Sequence, residues 1–358
     1  MSLDRAALTT AMFVRLGAAV NRTFVLPLLI FYPTSRCNSR CISCDWWRHG
    51  GEDDLSLDEI ATVADALPAL GTRVVAFSGG EPLLRPDVFD AAAMFRSRGL
   101  ALHLLTSGVL LDRCADRVGE HFSRVFVSLD AATEERYADI RGVNALAAVG
   151  RGIARLRRAA PRVPVTVRAT LHRENFRELP RLIEHAKLLG VDGISFLAAD
   201  VSSAAFGRTS IPAPTPDANS GGVADTLVLT RDEVTEFSSL VERTLAVYRA
   251  DFESQFVAES PAKLRTLPRY YAALGGDGPF PPVRCNAPWV SVVLEAAGDV
   301  RPCFFHPPVG NIRRTPLADL VRRNLRSFRE TFDMHTDPTC ARCVCTLNAG
   351  WRRAPWVS

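Results

Sequence analysis

Six short β-rich runs, each followed by an amphipathic stretch, constrain the fold of this chain more than any other feature. The runs lie at 25–32, 73–77, 101–105, 125–129, 163–170 and 193–197. Helical periodicity is expected between them, near 56–70, 86–98, 110–122, 144–159 and 176–189. Ser56, with Glu59 three residues on, has the form of a capping box opening the first helix. Strands that alternate with helices read as consecutive βαβ units around a parallel sheet. Right-handed crossovers curl such a sheet into an open or closed barrel. The expected class is therefore α/β, and 358 residues suffice for a large core.

The polar motifs fall on one end of these strands. Cys37, Cys41 and Cys44 follow the first run with C-x3-C-x2-C spacing. Ser78-Gly79-Gly80-Glu81-Pro82 ends the second, Thr106-Ser107-Gly108 the third, and Ser128 and Asp130 bracket the end of the fourth. The carboxyl ends of parallel strands are where such folds bind ligands. Three thiolates on one short loop suit a 4Fe–4S cluster with one iron left open. A disulfide framework is disfavoured by the length and by the lack of a secretory signal. A structural zinc site normally shows paired C-x2-C units. Adjacent glycines let a backbone approach a ligand closely, and a carboxylate beside them suits an ammonium group. A tight turn with an acid at a helix start would use the same residues.

A second cysteine region begins at Cys285. Cys303 follows after twelve residues, Gly298 and four more residues, and Gly298-Asp299 signals a hairpin that would bring Cys285 and Cys303 together. Cys340 and Cys343 form a C-x2-C pair, with Cys345 close by. Spacing alone allows zinc or a second cluster and favours zinc as the commoner structural site. Cys114 shares a helical face with Leu110, Leu111, Val118 and Phe122, and is expected in the core. Trp46 and Trp47 are expected to pack the first cysteine loop onto the body of the fold. His306 is expected to be structural.

The CNSRCISC loop and the SGGEP turn together resemble the radical SAM superfamily. That resemblance implies a partial (β/α)6 TIM-like barrel over 22–200. It implies that Cys37, Cys41 and Cys44 hold a 4Fe–4S cluster whose open iron takes S-adenosylmethionine. Gly79, Gly80 and Glu81 would hold the methionine ammonium, and Ser128 and Arg141 match positions that reach the same cofactor. The family often has an aromatic residue where this chain has Ser43. The C-terminal pattern resembles the auxiliary-cluster domains called SPASM and twitch, a small β-hairpin and helix unit. This implies a second, auxiliary 4Fe–4S cluster on Cys285, Cys303, Cys340 and Cys343, with the shorter twitch type favoured. Cys345 does not fit the family spacing.

The expected organisation is a helical extension at 1–21, the barrel at 22–200, a linker or lid at 201–229, a helical connector at 230–284 and the auxiliary domain at 285–358. A long helix is expected from Thr230, capped with Glu233, to about Phe256. The net charge of +4 is too mild to indicate nucleic acid or membrane surfaces, and no apolar run reaches membrane-spanning length. The eight cysteines other than Cys114 read as a reduced, cytoplasmic set of metal ligands. The function expected is a radical S-adenosylmethionine oxidoreductase acting on a small molecule, with an electron donor such as flavodoxin or ferredoxin. The alternatives are a maturase of ribosomally made peptides and a non-catalytic electron-transfer protein. With so few residues before the first strand, a separate peptide-recognition domain is not expected there, which favours a small molecule or a peptide delivered by a separate protein.

Overall fold

In the computed structural model, residues 20–208 and 226–347 are described, together with residues 10, 12–14, 16 and 17. The middle of the expected linker, 209–225, and residues 348–358 lie outside the described residues, as does most of the expected N-terminal extension.

All six expected strands form: β1 (Leu28–Phe31), β2 (Val74–Phe77), β3 (Ala101–Thr106), β4 (Arg124–Ser128), β5 (Val165–Leu171) and β6 (Gly193–Ala198). They pair in parallel, each with its sequence neighbour, from β1 to β6. Helices α1 (Leu57–Ala66), α2 (Val88–Ser97), α3 (Leu111–His121), α4 (Glu134–Arg141), α5 (Leu146–Ala159) and α6 (Leu179–Leu188) connect them. Alternation along β5 shows how the sheet is used. Val165, Val167, Ala169 and Leu171 are buried in the main core, whereas Thr166, Arg168 and Thr170 are half-buried on the other face. That inner face carries a smaller apolar cluster of Leu28, Ile30, Tyr32, Val74, Ala76, Val293 and Ala296.

Two helix starts follow the expected chemistry. Ser56 and Glu59 make both halves of a capping box at α1, and Thr230 and Glu233 do so at α7 (Arg231–Val247). The long helix expected to reach Phe256 stops earlier. Tyr248 leaves helical geometry, its hydroxyl donates to Pro180 O and its ring sits under Lys187, so the chain is pinned to α6 before α8 (Arg249–Glu253) begins. Cys114 is half-buried at the rim of the core rather than inside it. Leu111, Ala115, Val118 and Phe122 form the buried face of α3 and its end, one residue round from the expected stripe.

The C-terminal hairpin is not a detached unit. Its first strand, β7 (Ser291–Leu294), pairs in parallel with β1, then β8 (Asp299–Arg301) and β9 (Gly310–Asn311) continue antiparallel. The described strands form one nine-stranded sheet in the order β6-β5-β4-β3-β2-β1-β7-β8-β9. β1 is thus central, which accounts for its complete burial. At the opposite edge, among the described residues, β6 is covered by no further strand but by an isolated bridge between Ile194 and Val257. There Ile194 N–H donates to Phe256 O, Ala258 N–H donates to Ile194 O, and the Glu259 carboxylate accepts from Phe196 N–H at 2.9 Å. Among the described residues, no helix is long and apolar enough to cross a membrane.

Tyr271 completes that edge. Its hydroxyl accepts from Ala199 N–H and donates to Leu171 O, joining the ends of β5 and β6 from a fully buried position. Tyr271→Phe should therefore cost about 1–3 kcal/mol, because two buried backbone groups lose their partner. Urea unfolding should show a lower midpoint at unchanged slope, and an unchanged midpoint would deny the hydroxyl this role.

Candidate metal and cofactor site

The loop 34–45 carries the first three thiols, and three different strand ends hold it. After β2, Gly80 N–H donates to Thr34 O and Glu81 N–H to Arg36 O. After β4, Arg40 N–H donates to Arg141 O and Ile42 N–H to Ile140 O at the end of α4. After β6, Asp45 N–H donates to Phe206 O, and the Arg208 guanidinium reaches Ser43 O at 2.8 Å. Arg208 is itself fixed by a buried ion pair with Asp200 at 2.7 Å. Cys37, Cys41 and Cys44 are free thiols on this clamped loop.

The two glycines of the SGGE turn are required by the loop it touches. Gly79 has φ +93°, and a Cβ there would lie 2.6 Å from the Tyr32 side chain. A Cβ on Gly80 would lie 2.1 Å from Arg36 O. Glu81 is completely buried. Its Oε1 accepts from Leu83 N–H and from the Thr106 hydroxyl, and its Oε2 accepts from Ser107 N–H at 2.6 Å. The carboxylate therefore welds the β2 turn to the end of β3, and an ionised carboxylate keeps lone-pair capacity beyond these three bonds.

Ser128 ends β4 beside Arg168 of β5. Arg141 pairs with Asp130 at 2.9 Å, and Asp130 also accepts from Thr170 N–H. Trp46 packs edge-on against Tyr32 at 5.6 Å and covers the inner apolar cluster, as the expected packing role requires. Trp47 lies under Arg48 and Arg40 instead. The chemistry around the thiols fits an anionic, sulfur-rich group. Asn38 Nδ2, Ser39 Oγ and Arg141 Nε are buried beside them without a hydrogen-bond partner, and buried polar groups ordinarily have one.

The second set of cysteines converges as well. Cys285, Cys303, Cys340, Cys343 and Cys345 line one cavity, which His306 also lines. Cys285 precedes β7 and Cys303 follows β8, so the hairpin brings them together. Cys340 lies in a short helix, Pro338–Ala341, capped by Asp337, and the Cys343 thiol donates to Cys345 O at 2.8 Å. Ile30 of the sheet's inner face and Leu347, which packs against that apolar cluster, line the same cavity. Phe304, next to Cys303, stacks on Tyr32 at 6.5 Å. Tyr32 thus contacts Trp46 beside the first cysteine group and Phe304 beside the second.

Comparison with known proteins follows this geometry. Residues 31–186 match the radical SAM superfamily, and 285–344 match SPASM, an iron-sulfur cluster-binding domain. The chain carries a radical SAM domain followed by a SPASM domain. A radical SAM domain implies a 4Fe–4S cluster and S-adenosylmethionine, and a SPASM domain implies further iron–sulfur clusters. Fe-coproporphyrin III synthase of Methanosarcina barkeri is 32% identical over 164 residues, 44% of this chain and 40% of that protein. PqqA peptide cyclase of Rhodopseudomonas palustris is 34% identical over 186 residues, 49% of this chain and 48% of that protein. The chain therefore matches less than half the length of these relatives. The crystal structure of Streptococcus suis SuiB bound to S-adenosylmethionine superposes with TM-score 0.62 at 14% identity, over 94% of this chain and 76% of that one, a likeness of fold.

Three features of the site were not assigned a role from sequence. Asp130 was placed at a strand end, but its pairing with Arg141 depends on α4, whose polar sequence gave no amphipathic signal. Asn38 is a plain loop residue until Ser107 Oγ, donating to its Oδ1 at 3.2 Å, fixes its direction. Arg208 lies in a Ser/Ala-rich stretch without periodicity.

Burial pushes the thiols up: Cys37 to about 11 and Cys44 to about 12, with Cys41 also raised. A metal-free fold then holds protons that the unfolded chain would release above the ordinary thiol value of 9.0. Because the folded values are raised, this stabilising contribution is complete below 9.0 and is lost as pH rises toward 11–12. Metal-free protein should lose stability between about pH 9 and about pH 12, with a shallower slope in Cys37→Ser/Cys44→Ser. Parallel denaturation profiles for the two proteins would contradict this.

Proposed function

We infer that this protein is a radical S-adenosylmethionine oxidoreductase. The observation that carries the reading is the convergence of three thiols on one clamped loop with the SGGE turn packed against that loop. Cys37, Cys41 and Cys44 would hold a 4Fe–4S cluster by three thiolates and leave one iron for the cofactor. When bound, the cluster supplies one electron to cleave the sulfonium of S-adenosylmethionine to methionine and a 5′-deoxyadenosyl radical, which takes hydrogen from an unactivated C–H bond.

The chain's own residues bind, orient and exclude water. Gly79 and Gly80 would bring their backbone to the cofactor's amino end, and Glu81, which fixes the turn, would add negative potential for an ammonium group. Arg141, held by Asp130, offers its Nε to a carboxylate, and Ser128 lies at the end of the neighbouring strand. Trp46 and Tyr32 keep the inner face apolar. Cys285, Cys303, Cys340 and Cys343 would hold an auxiliary cluster that accepts the electron left on an oxidised substrate. The electron supplied to the first cluster would come from a flavodoxin or ferredoxin.

The substrate is read as a small molecule, in keeping with the resemblance to Fe-coproporphyrin III synthase. A peptide is the second reading, favoured by the resemblance to PqqA peptide cyclase over a similar share of the chain.

The test is anaerobic reconstitution with iron and sulfide, then dithionite and S-adenosylmethionine, with mass spectrometry for 5′-deoxyadenosine. Wild type should release it and contain about eight irons per chain. Cys37→Ala/Cys41→Ala/Cys44→Ala should release none, whereas Cys340→Ala/Cys343→Ala should still release it with about four irons. Release by the first variant would overturn the reading, and zinc in place of the second cluster would remove the electron-acceptor role.

A further inference from the structure

His306 is a buried residue that lines the auxiliary cysteine cavity. The side chain is 6% exposed, and its ring is fixed by Phe328 at 5.1 Å and Phe332 at 5.3 Å between centroids. Its Nε2 lies 3.7 Å from Cys340 Sγ, within hydrogen-bonding geometry for sulfur, and 3.7 Å from Asp337 Oδ1. That Asp337 oxygen is already engaged by the N–H groups of Thr339 and Cys340. The backbone N–H groups of Phe305 and His306 meanwhile face the Cys303 thiol. One residue thus addresses two cysteines of the set, Cys303 through its main chain and Cys340 through its ring.

Two roles could place an imidazole nitrogen there. A shared mononuclear metal with bonds of about 2.3 Å to sulfur and about 2.0 Å to nitrogen would hold the two atoms about 3.5 Å apart. In a cubane, by contrast, each iron takes one protein ligand, and ligands on neighbouring irons stand farther apart than 3.7 Å. Five thiols line the cavity, which exceeds the four ligands of a cubane without any histidine.

We propose that His306 is a positioning residue of the auxiliary site, donating its Nε2–H to the Cys340 thiolate and so raising the reduction potential of the cluster held there. Hydrogen bonds to cluster sulfurs are one of the levers that set such potentials, because they stabilise the more negative reduced state. Asp337 supports this arrangement by fixing the helix start that carries Cys340, and its Oδ1, already accepting from two N–H groups, leaves the ring N–H to the sulfur. The inference rests on the auxiliary-cluster reading given above.

The test uses the full-length, anaerobically reconstituted protein as wild type, His306→Phe and His306→Gln. Iron is counted, and an EPR-monitored redox titration follows the cluster signal that S-adenosylmethionine leaves unchanged. With equal iron in all three, His306→Phe should make reduction about tenfold less favourable, a midpoint about 59 mV lower for a one-electron couple. His306→Gln, which keeps an N–H donor, should recover most of that shift. Equal midpoints in wild type and His306→Phe would overturn the proposal. So would loss of auxiliary iron in both variants with a strongly coupled nitrogen in the wild-type ENDOR spectrum, since the histidine would then be a ligand. A wild type without a second cluster would instead refute the underlying auxiliary-cluster reading and remove the basis for this role.

Discussion

The backbone clamp on loop 34–45 is the constraint on which the rest of the structure depends. A loop proposed to hold a cluster must present three sulfurs in a fixed pattern, and this one has no regular secondary structure of its own. Here its N–H and C=O groups are taken up by segments that follow β2, β4 and β6, so three βα units set the positions of the thiols jointly. Each contact is modest, about 0.5–1.5 kcal/mol net for a hydrogen bond. Together they remove the loop's freedom before any ligand arrives, which is what preorganisation of a site requires. The cost is visible in the sequence. Gly79 and Gly80 cannot carry side chains, Phe206 adopts φ +61°, and Asp200 and Arg208 are buried as an ion pair.

The same central strand ties the two cysteine groups together. β1 leads into the first loop and pairs with β2 on one side and with β7 on the other. The hairpin that brings Cys285 and Cys303 together is therefore registered against the strand that precedes Cys37. Their separation is set by sheet geometry rather than by a flexible linker. Tyr32, just beyond β1, carries the contact across, touching Trp46 on the first side and Phe304 on the second. These aromatic contacts lie against the apolar cluster on the inner face of the sheet.

Much of this was legible in the chain because local signals agreed. The six strands, their order and both capping boxes follow from periodicity and cap chemistry, and the polar motifs sort to the strand ends without further help. What escaped was set by tertiary contacts. Helix α4 buries only Tyr137 and Ile140, so its charged sequence carries no amphipathic pattern, although its end holds loop 34–45. The parallel pairing of β7 with β1 joins strands more than 250 positions apart, which no local pattern encodes. Arg208 reads as part of a linker until Ser43 and Asp200 are brought to it. Among the candidate site residues, the cysteines and glycines announce themselves by spacing. The bonds that occupy Glu81, and the pairing of Arg141 with Asp130, emerge only when neighbouring strand ends meet.

The central claim is that one of two iron–sulfur clusters has an iron without a protein ligand. Mössbauer spectroscopy of protein reconstituted with 57Fe, recorded before and after adding S-adenosylmethionine, tests it most directly. The account predicts two cubane clusters, with a single iron site of one cluster shifting when the cofactor is added while the other cluster is unchanged. A spectrum that does not respond to S-adenosylmethionine would contradict it.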